Sequence, residues 1–381
     1  MTVLRVNTLS GIGTGGPVFD GSFAFTSQNY VILPKGTTSD RVGVGSTPGA
    51  LRYNTDSNKV ELYDGSQWTE VQSSRPDLNG GARGVFAGGV TPAARINVIE
   101  FITISSTGNA VDFGDLVEVK SDLAACASST RGVFSGGFAP AGRLNTIEFI
   151  TISSTGNAQD FGDLLATARS NLDSCSNSTR GLIATGYVTP TGGTNVIEYI
   201  TISATGNSVD YGDLSGNRYN VGSFSNSTRG LFGGGYTGVA PTSTIGNVID
   251  FVTISTLGNA QDFGDLSQSR ANHTGCSNSI RGIFIAGFTP TVVTTIDYIT
   301  ISTLGNAIKF GDTSTAHRDS DACASPTRGV FAGAYSPTPA AVRYNTIEYI
   351  TILTQGNSVD FGDLSGTRSG LSACSNGHGG L

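Results

Sequence analysis

The stretch RGLIATGYVTPTGGTNVIEYITISATGNSVDYGDL, residues 180–214, decides how the rest of the chain is read. Residues 180–186 open it with an Arg-Gly, an apolar pair and a closing glycine, the pattern of a short strand. Residues 195–203 (NVIEYITIS) are β-branched and aromatic, as a buried strand should be. A Thr-Gly-Asn at 205–207 precedes residues 208–214, which read as a further strand. Glycine ahead of asparagine suits a type II′ hairpin turn, because glycine accepts positive φ without a Cβ clash; the last two strands are therefore expected to form a hairpin. Just upstream, residues 172–176 (LDSCS) give a first short strand of small residues. No segment carries a sustained helical period.

Working outward, the Arg-Gly recurs at Arg83, Arg131, Arg180, Arg229, Arg281 and Arg328, at spacings of 48, 49, 49, 52 and 47 residues. A Gly-Asn pair recurs in step at Gly108, Gly156, Gly206, Gly258, Gly305 and Gly356. Six copies in register make this a repeat array. One four-stranded sheet of this size cannot bury both faces, whereas six stacked around an axis bury each against its neighbours and leave short outer edges. Ile147, Phe149, Ile150 and Ile152 fit a strand covered on both sides. A straight β-solenoid is the competing architecture, with shorter rungs as a rule. The expected fold is all-β: a six-bladed β-propeller of four-stranded blades over residues 75–381, with a small N-terminal β module over residues 1–74.

The array starts in mid-blade, after a short lead at residues 75–82, and residues 368–376 (RSGLSACSN) repeat the first-strand motif without a blade of their own. The C-terminal segment is therefore expected to supply the innermost strand of the first blade and close the ring. In an antiparallel meander the strand 1–2 and 3–4 turns share one face and the other loops share the opposite one. The first face is uniform between copies. The second varies in length and sequence and carries Arg95, Arg143, Arg343 and Tyr344, the expected contact residues.

The pattern of an Arg followed by a small-residue Cys strand, Arg-Gly-apolar-apolar ending in Gly-Gly, then a Glu/Asp-aromatic strand resembles kelch blades. Gly88-Gly89, Gly136-Gly137 and Gly234-Gly235 match the kelch double glycine, while Thr185-Gly186 and Gly333-Ala334 depart from it. The kelch tryptophan is replaced by Phe113, Phe161, Tyr211, Phe263, Phe310 and Phe361. In the first 74 residues, GALRYNTDSNKVELYDGSQWTEV and the preceding FTSQNYVILPKGTTSDR resemble segments of tail-fibre and other virion structural proteins of tailed bacteriophages, particularly those of marine cyanobacteria. Residues 51–53, 59–63 and 67–71 read as its strands, and residues 22–34 supply up to two more. The resemblance implies attachment to a particle through other virion proteins and assembly as a homotrimer. So small a β module buries little apolar surface alone, which independently favours partners.

Composition narrows the function. Only 13% of residues are charged, 53 are glycine and the net charge is −7, which excludes a basic nucleic-acid binder. No apolar run approaches the roughly 20 residues of a membrane span, and the first ten residues lack a signal-peptide pattern. The expected location is the virion, after assembly in the host cytoplasm. Cys126, Cys175, Cys276, Cys323 and Cys374 fall at one repeat position, with Phe224 at the sixth. Neighbouring sheets lie about 10 Å apart, too far for a disulfide or a shared tetrahedral ion, so packed thiols are expected, with no metal and no cofactor. The Gly-Asp pairs at Asp115, Asp163, Asp213, Asp265, Asp312 and Asp363 are expected to cap the fourth strand or pair with a repeated cation: Lys120, Arg169, Arg218, Arg270, Arg318 and Arg368. His273, His317 and His378 sit in different repeats without a matching nucleophile. The chain is accordingly expected to be non-enzymatic: a tail fibre or similar appendage recognising a host-surface glycan or receptor. A purely architectural virion, tail or capsid-decoration protein is the alternative, and a glycan-degrading enzyme the third.

Overall fold

The computed structural model describes residues 33–41, 48–57, 59–71, 82–165, 167–239, 242–338 and 340–381. It divides the chain into two compact units, Met1–Pro76 and Asp77–Leu381. The first unit holds a four-stranded sheet in which Leu51–Asn54, Lys59–Tyr63 and Trp68–Glu70 run antiparallel. Lys35–Gly36 adds in parallel to Leu51–Asn54. Asp64 makes the last turn by accepting from the Ser66 and Gln67 amides, 2.7 and 2.8 Å. The buried Glu61 ties the sheet together through Arg41 and Asn54. The strands expected within residues 22–32 lie outside the described residues.

The second unit is all-β, six sheets each with a four-stranded antiparallel core. Sheet I consists of Ser372–Ser375, Arg83–Ala87, Val98–Thr103 and Val111–Asp115. Sheet II has Ala124–Ala127, Arg131–Ser135, Thr146–Thr151 and Gln159–Asp163. Sheet III has Asp173–Ser176, Arg180–Ala184, Gly192–Thr201 and Val209–Arg218, with Tyr187–Val188 added beside the third strand. Sheet IV has Gly222–Ser225, Arg229–Gly233, Val248–Thr253 and Gln261–Asp265. Sheet V has Thr274–Ser277, Arg281–Ile285, Val293–Thr300 and Ile308–His317. Sheet VI has Asp321–Ala324, Arg328–Ser336, Val342–Thr351 and Val359–Asp363. The C-terminal strand joins the first repeat, with Cys374 opposite Val85.

Apolar packing lies between sheets. Phe134 and Ile150 of sheet II pack with Val85, Ile99 and Phe113 of sheet I. The same kind of cluster joins II to III, III to IV, IV to V, V to VI and VI to I. Phe86, Phe134, Phe232 and Phe284 are 0% exposed; burying a side chain of that size contributes roughly 1.5–3 kcal/mol. First strands also contact in the order I, II, III, IV, V, VI and back to I.

Polar groups repeat the pattern. In each copy the Arg of Arg-Gly stacks on an aromatic of its own third strand, as Arg180 does on Tyr199 at 4.4 Å. It then donates to an isoleucine carbonyl of the next sheet, from Arg83 to Ile152 at 3.0 Å through to Arg328 and Ile104 at 3.1 Å. The glycine that follows leaves space for the preceding sheet's first strand. A Cβ at Gly181 would stand 2.7 Å from Cys126 Sγ, and one at Gly132 would stand 3.0 Å from Cys374 Sγ. All five cysteines are free and buried, and burial pushes the Cys126 and Cys276 thiols up to about 12.

Two expectations are corrected. The Gly-Asn pairs are not the hairpin turns. The chain turns earlier, with Ser106 N–H donating to Thr103 O at 3.0 Å and equivalents in every copy. The Gly-Asn segment then runs beside the fourth strand of the preceding sheet. Gly156 N–H donates to Phe113 O and Ala158 N–H to Asp115 O, both 2.8 Å, and the Asp115 amide donates to Asn157 Oδ1 at 3.1 Å. Each outer edge is thereby covered by the next copy, which blunts an exposed strand edge. Asp163, Asp213, Asp265, Asp312 and Asp363 repeat the amide contact, to Asn207, Asn259, Asn306, Asn357 and Asn109. Gly114 belongs to the same contact, since a Cβ there would stand 2.5 Å from Gly156 O.

The repeated cation, second, does not pair with those aspartates. Lys120, Arg169, Arg218, Arg270 and Arg368 bind buried acids of a third strand: Glu148, Glu198, Asp250, Asp297 and Glu100. Arg318 is not a member of the series. His317 holds that position, at the end of its strand opposite Val293, as Arg218 ends its strand opposite Thr194.

Candidate functional site

The end of the second unit that carries the variable loops is built from two short segments per copy. The residue after the glycine pair, or after Thr185-Gly186, Ala286-Gly287 or Gly333-Ala334 in its place, is Val90, Phe138, Tyr187, Tyr236, Phe288 or Tyr335. Each bridges through its backbone to the segment entering its sheet, at Ser369, Ser121, Ser170, Tyr219, Ala271 and Arg318 respectively. The residue that follows there is Gly370, Asp122, Asn171, Asn220, Asn272 or Asp319, and all six have φ between 54° and 61°. Asn and Asp tolerate this left-handed conformation better than other non-glycine residues, which accounts for their recurrence. Their amides form a circuit in which Asn171 donates to Asp122, Asn220 to Asn171, Asn272 to Asn220, Asp319 to Asn272, Gly370 to Asp319 and Asp122 to Gly370, at 2.8–3.0 Å.

Inside the circuit lies an opening of about 70 Å³, lined by Asp122, Asn171, Asn220, Asn272, Asp319 and Asp321 among others. A second cavity of about 50 Å³ lies along the first strands. His378 lines it, donating from Nε2 to Ala127 O at 2.8 Å, while Gly379 N–H donates to Ser277 O. Burial raises the Asp122 carboxyl, against the Ser121 hydroxyl and the charges of Arg95 and Arg143. Burial also takes Asp319 up to about 6, with Arg318 opposing and Asp122 adding to the rise. Deeper, Asp173 and Asp321 are both raised by burial, and the charge of Asp321 raises Asp173 further.

Around the opening runs a rim of arginine and aromatic side chains. Arg95 packs on Phe138 at 4.5 Å, and Arg143 stands between Phe138 and Tyr187, 5.4 and 4.6 Å away. Tyr187 meets Tyr219 edge-on at 5.0 Å, and Tyr219 stacks on Tyr236 at 5.2 Å. Arg318 lies between Phe288 and Tyr335, 5.2 and 5.4 Å away, and Arg343 packs on Tyr335 at 5.3 Å. Arg95 and Arg343 also donate through Nε to Ser121 and Ser369. Such contacts hold guanidinium planes in place without neutralising them.

Three of the four contact residues expected from sequence, Arg95, Arg143 and Arg343, therefore belong to one rim. Tyr344 does not: it lines a separate cavity with His317 and Glu348. The aromatic members were missed, although an aromatic holds the position after the glycine pair, or after the pair that replaces it, in five of six copies. The Ser176–His378 approach at the cavity along the first strands, 3.4 Å, is not a nucleophile and base. Ser176 Oγ donates to Ala127 O at 2.7 Å, and His378 Nε2 donates to the same carbonyl. No group of His, Cys, Asp and Glu among the described residues is arranged to hold a metal ion. No helix among them is long and apolar enough to cross a membrane. Comparison with protein-family models and with curated proteins finds no match.

Proposed function

We propose that the six sheets are the blades of a kelch-like six-bladed β-propeller and that its rim binds a glycan of a host cell surface. The propeller reading is supported by contacts between consecutive sheets that recur, sheet VI to sheet I included: an apolar cluster, the bond from Arg to an isoleucine carbonyl and the bond from the Asp amide to Asn Oδ1. The observation that carries the function is the rim itself. The half-buried rings of Phe138, Tyr187, Tyr236, Phe288 and Tyr335 suit the C–H faces of sugar rings, while the carboxylates, amides and guanidinium groups at the opening suit hydroxyls. The chain is then a virion surface protein, a tail fibre or similar appendage, whose first unit attaches it to other virion proteins as a trimer. That part of the reading is supported by the resemblance of residues 1–74 to phage virion segments.

The test is binding of the full chain to envelope polysaccharide from cyanobacterial cells, with and without Tyr187→Ala and Tyr236→Ala together. Binding is expected in the parent and lost in the double variant, whose thermal midpoint stays close to the parent's. Absence of binding in the parent, with the rim covered by another subunit in the assembled particle, would instead assign the face to virion architecture.

A further inference from the structure

We propose that the cavity between sheets V and VI binds a guanidinium group presented from outside the chain, in the place where other copies hold their own cation.

The comparison is internal. At five positions a buried third-strand acid holds a Lys or Arg from the segment leading into its sheet: Lys120–Glu148 at 2.6 Å, Arg169–Glu198 at 2.9 Å, Arg270–Asp297 at 2.6 Å, Arg368–Glu100 at 2.6 Å, and Arg218–Asp250. Two of the arginines share a pair of equivalent backbone acceptors as well. Arg218 Nη1 donates to Val248 O at 2.8 Å and Gly234 O at 3.2 Å; Arg270 Nη1 donates to Thr295 O at 2.8 Å and Ala286 O at 3.3 Å. One acid and two carbonyls thus make a guanidinium cradle.

Sheet VI keeps the cradle, and no Lys or Arg among the described residues fills it. Glu348 is 7% exposed. Thr346, opposite Asp363, corresponds to Val248 opposite Asp265. Gly333 follows the second-strand residue opposite Ile347, as Gly234 follows the one opposite Ile249. Glu348, Thr346 and Gly333 all line a cavity of about 30 Å³ together with His317, Phe331 and Tyr344. His317 stands where the cation belongs and does not replace it. Its Nδ1 bonds Thr315 O at 2.8 Å, its Nε2 faces Ser320 Oγ at 3.2 Å, and burial lowers its pKa, so the ring is neutral. Glu348 receives hydroxyls of Ser314 and Ser358 instead of a charge. A buried carboxylate without a counter-charge is costly, and a cation entering the site recovers much of that cost. Ser314 and Thr315, which line the cavity, are exposed, so it is reached from solvent. A guanidinium fits better than an ammonium, because its planar fork reaches the acid and a carbonyl together.

The site does not depend on the glycan reading and is tested apart from it. Methylguanidinium is titrated calorimetrically into the full chain, with urea as a neutral planar control and tetramethylammonium as a cation without N–H donors. Saturable one-to-one binding is expected for methylguanidinium alone. It is expected to vanish in His317→Arg, which supplies the group from within, and that variant should melt above the parent. Glu348→Gln should abolish binding as well; should it fail to fold, His317→Arg decides alone. N-acetylarginine amide distinguishes the sources. Binding of the amide points to an arginine side chain of a partner, and binding of methylguanidinium alone to a small free cation; either result supports the site. No saturable heat in the parent, or equal heat in the parent and His317→Arg, overturns the proposal.

Discussion

The two ends of the repeat unit differ in what their side chains bind. At the uniform end the partner is backbone: Arg83, Arg131, Arg180, Arg229, Arg281 and Arg328 each reach an isoleucine carbonyl of the neighbouring sheet. A carbonyl is present whatever the sequence, so the same residue works six times. At the variable end the partner is another side chain, and the rim holds Arg on Phe in one copy and Tyr on Tyr in another. Contacts between side chains can change in pairs without moving the chain. The scaffold is fixed by the first kind of contact, and specificity is open to change through the second.

The largest effect that would break this comparison is loss of the C-terminal strand. Ser372–Ser375 completes sheet I, and Arg368 neutralises Glu100. Removing residues 368–381 should abolish cooperative unfolding by calorimetry; a truncated chain that melts as sharply as the parent would refute the role given to that strand. Next come the buried pairs. Arg270→Ala leaves Asp297, 0% exposed, without a counter-charge and should cost about 3–5 kcal/mol in chemical denaturation, while an Arg270→Met, Asp297→Leu double variant should recover most of it. Arg318→Ala, at the half-exposed rim, should cost under ~1 kcal/mol. Gly181→Ala sets a Cβ 2.7 Å from Cys126 Sγ and should cost about 1–3 kcal/mol through overpacking. Cys126→Ala alongside it should restore part of that, and independent additivity of the two changes would show that the thiol is not what the glycine accommodates. Gly282→Ala, whose Cβ would overlap the Phe224 ring, should cost more than Gly132→Ala, where the approach to Cys374 Sγ is 3.0 Å.

Much of the scaffold was legible because it repeats. The Arg-Gly register marks the second strands, and the orphan RSGLSACSN marks the strand that completes sheet I. The partners of the charged residues were not legible. Glu100 and Arg368 are 268 residues apart, and no local pattern couples them. The Gly-Asn pair was misread because glycine before asparagine is a turn signal locally, while its role here is to lie against the preceding sheet's outer edge. Arg318 was placed one residue out of register, since an arginine beside His317 hides the loss of the repeated cation. Of the rim arginines, Arg95, Arg143 and Arg343 were found from loop variability. The aromatics were passed over because a residue following a glycine-containing pair reads as part of a turn.

The smallest effect concerns the opening itself. Asp319 is held at about 6 in the fold, against 3.8 ordinarily, by burial and by Asp122, with Arg318, Arg343 and Asn272 opposing. Between those two values the folded chain binds the proton more tightly than the unfolded one, so this group stabilises the fold as pH falls from 7 toward 4 and loses that contribution as pH rises through about 6. Its side chain is 23% exposed at the opening, and solvent there keeps the effect modest. Thermal midpoints measured from pH 4 to pH 7 should show this slope in the parent and a flatter one in Asp319→Asn. The same substitution removes one of the two acids of the amide circuit while leaving its backbone conformation accessible, because asparagine holds the equivalent place at Asn171, Asn220 and Asn272. An unchanged slope would mean that the charge at the opening is carried by Asp122 or by the deeper Asp173 and Asp321. Glycan binding should then lose its pH dependence at Asp122→Asn and keep it at Asp319→Asn.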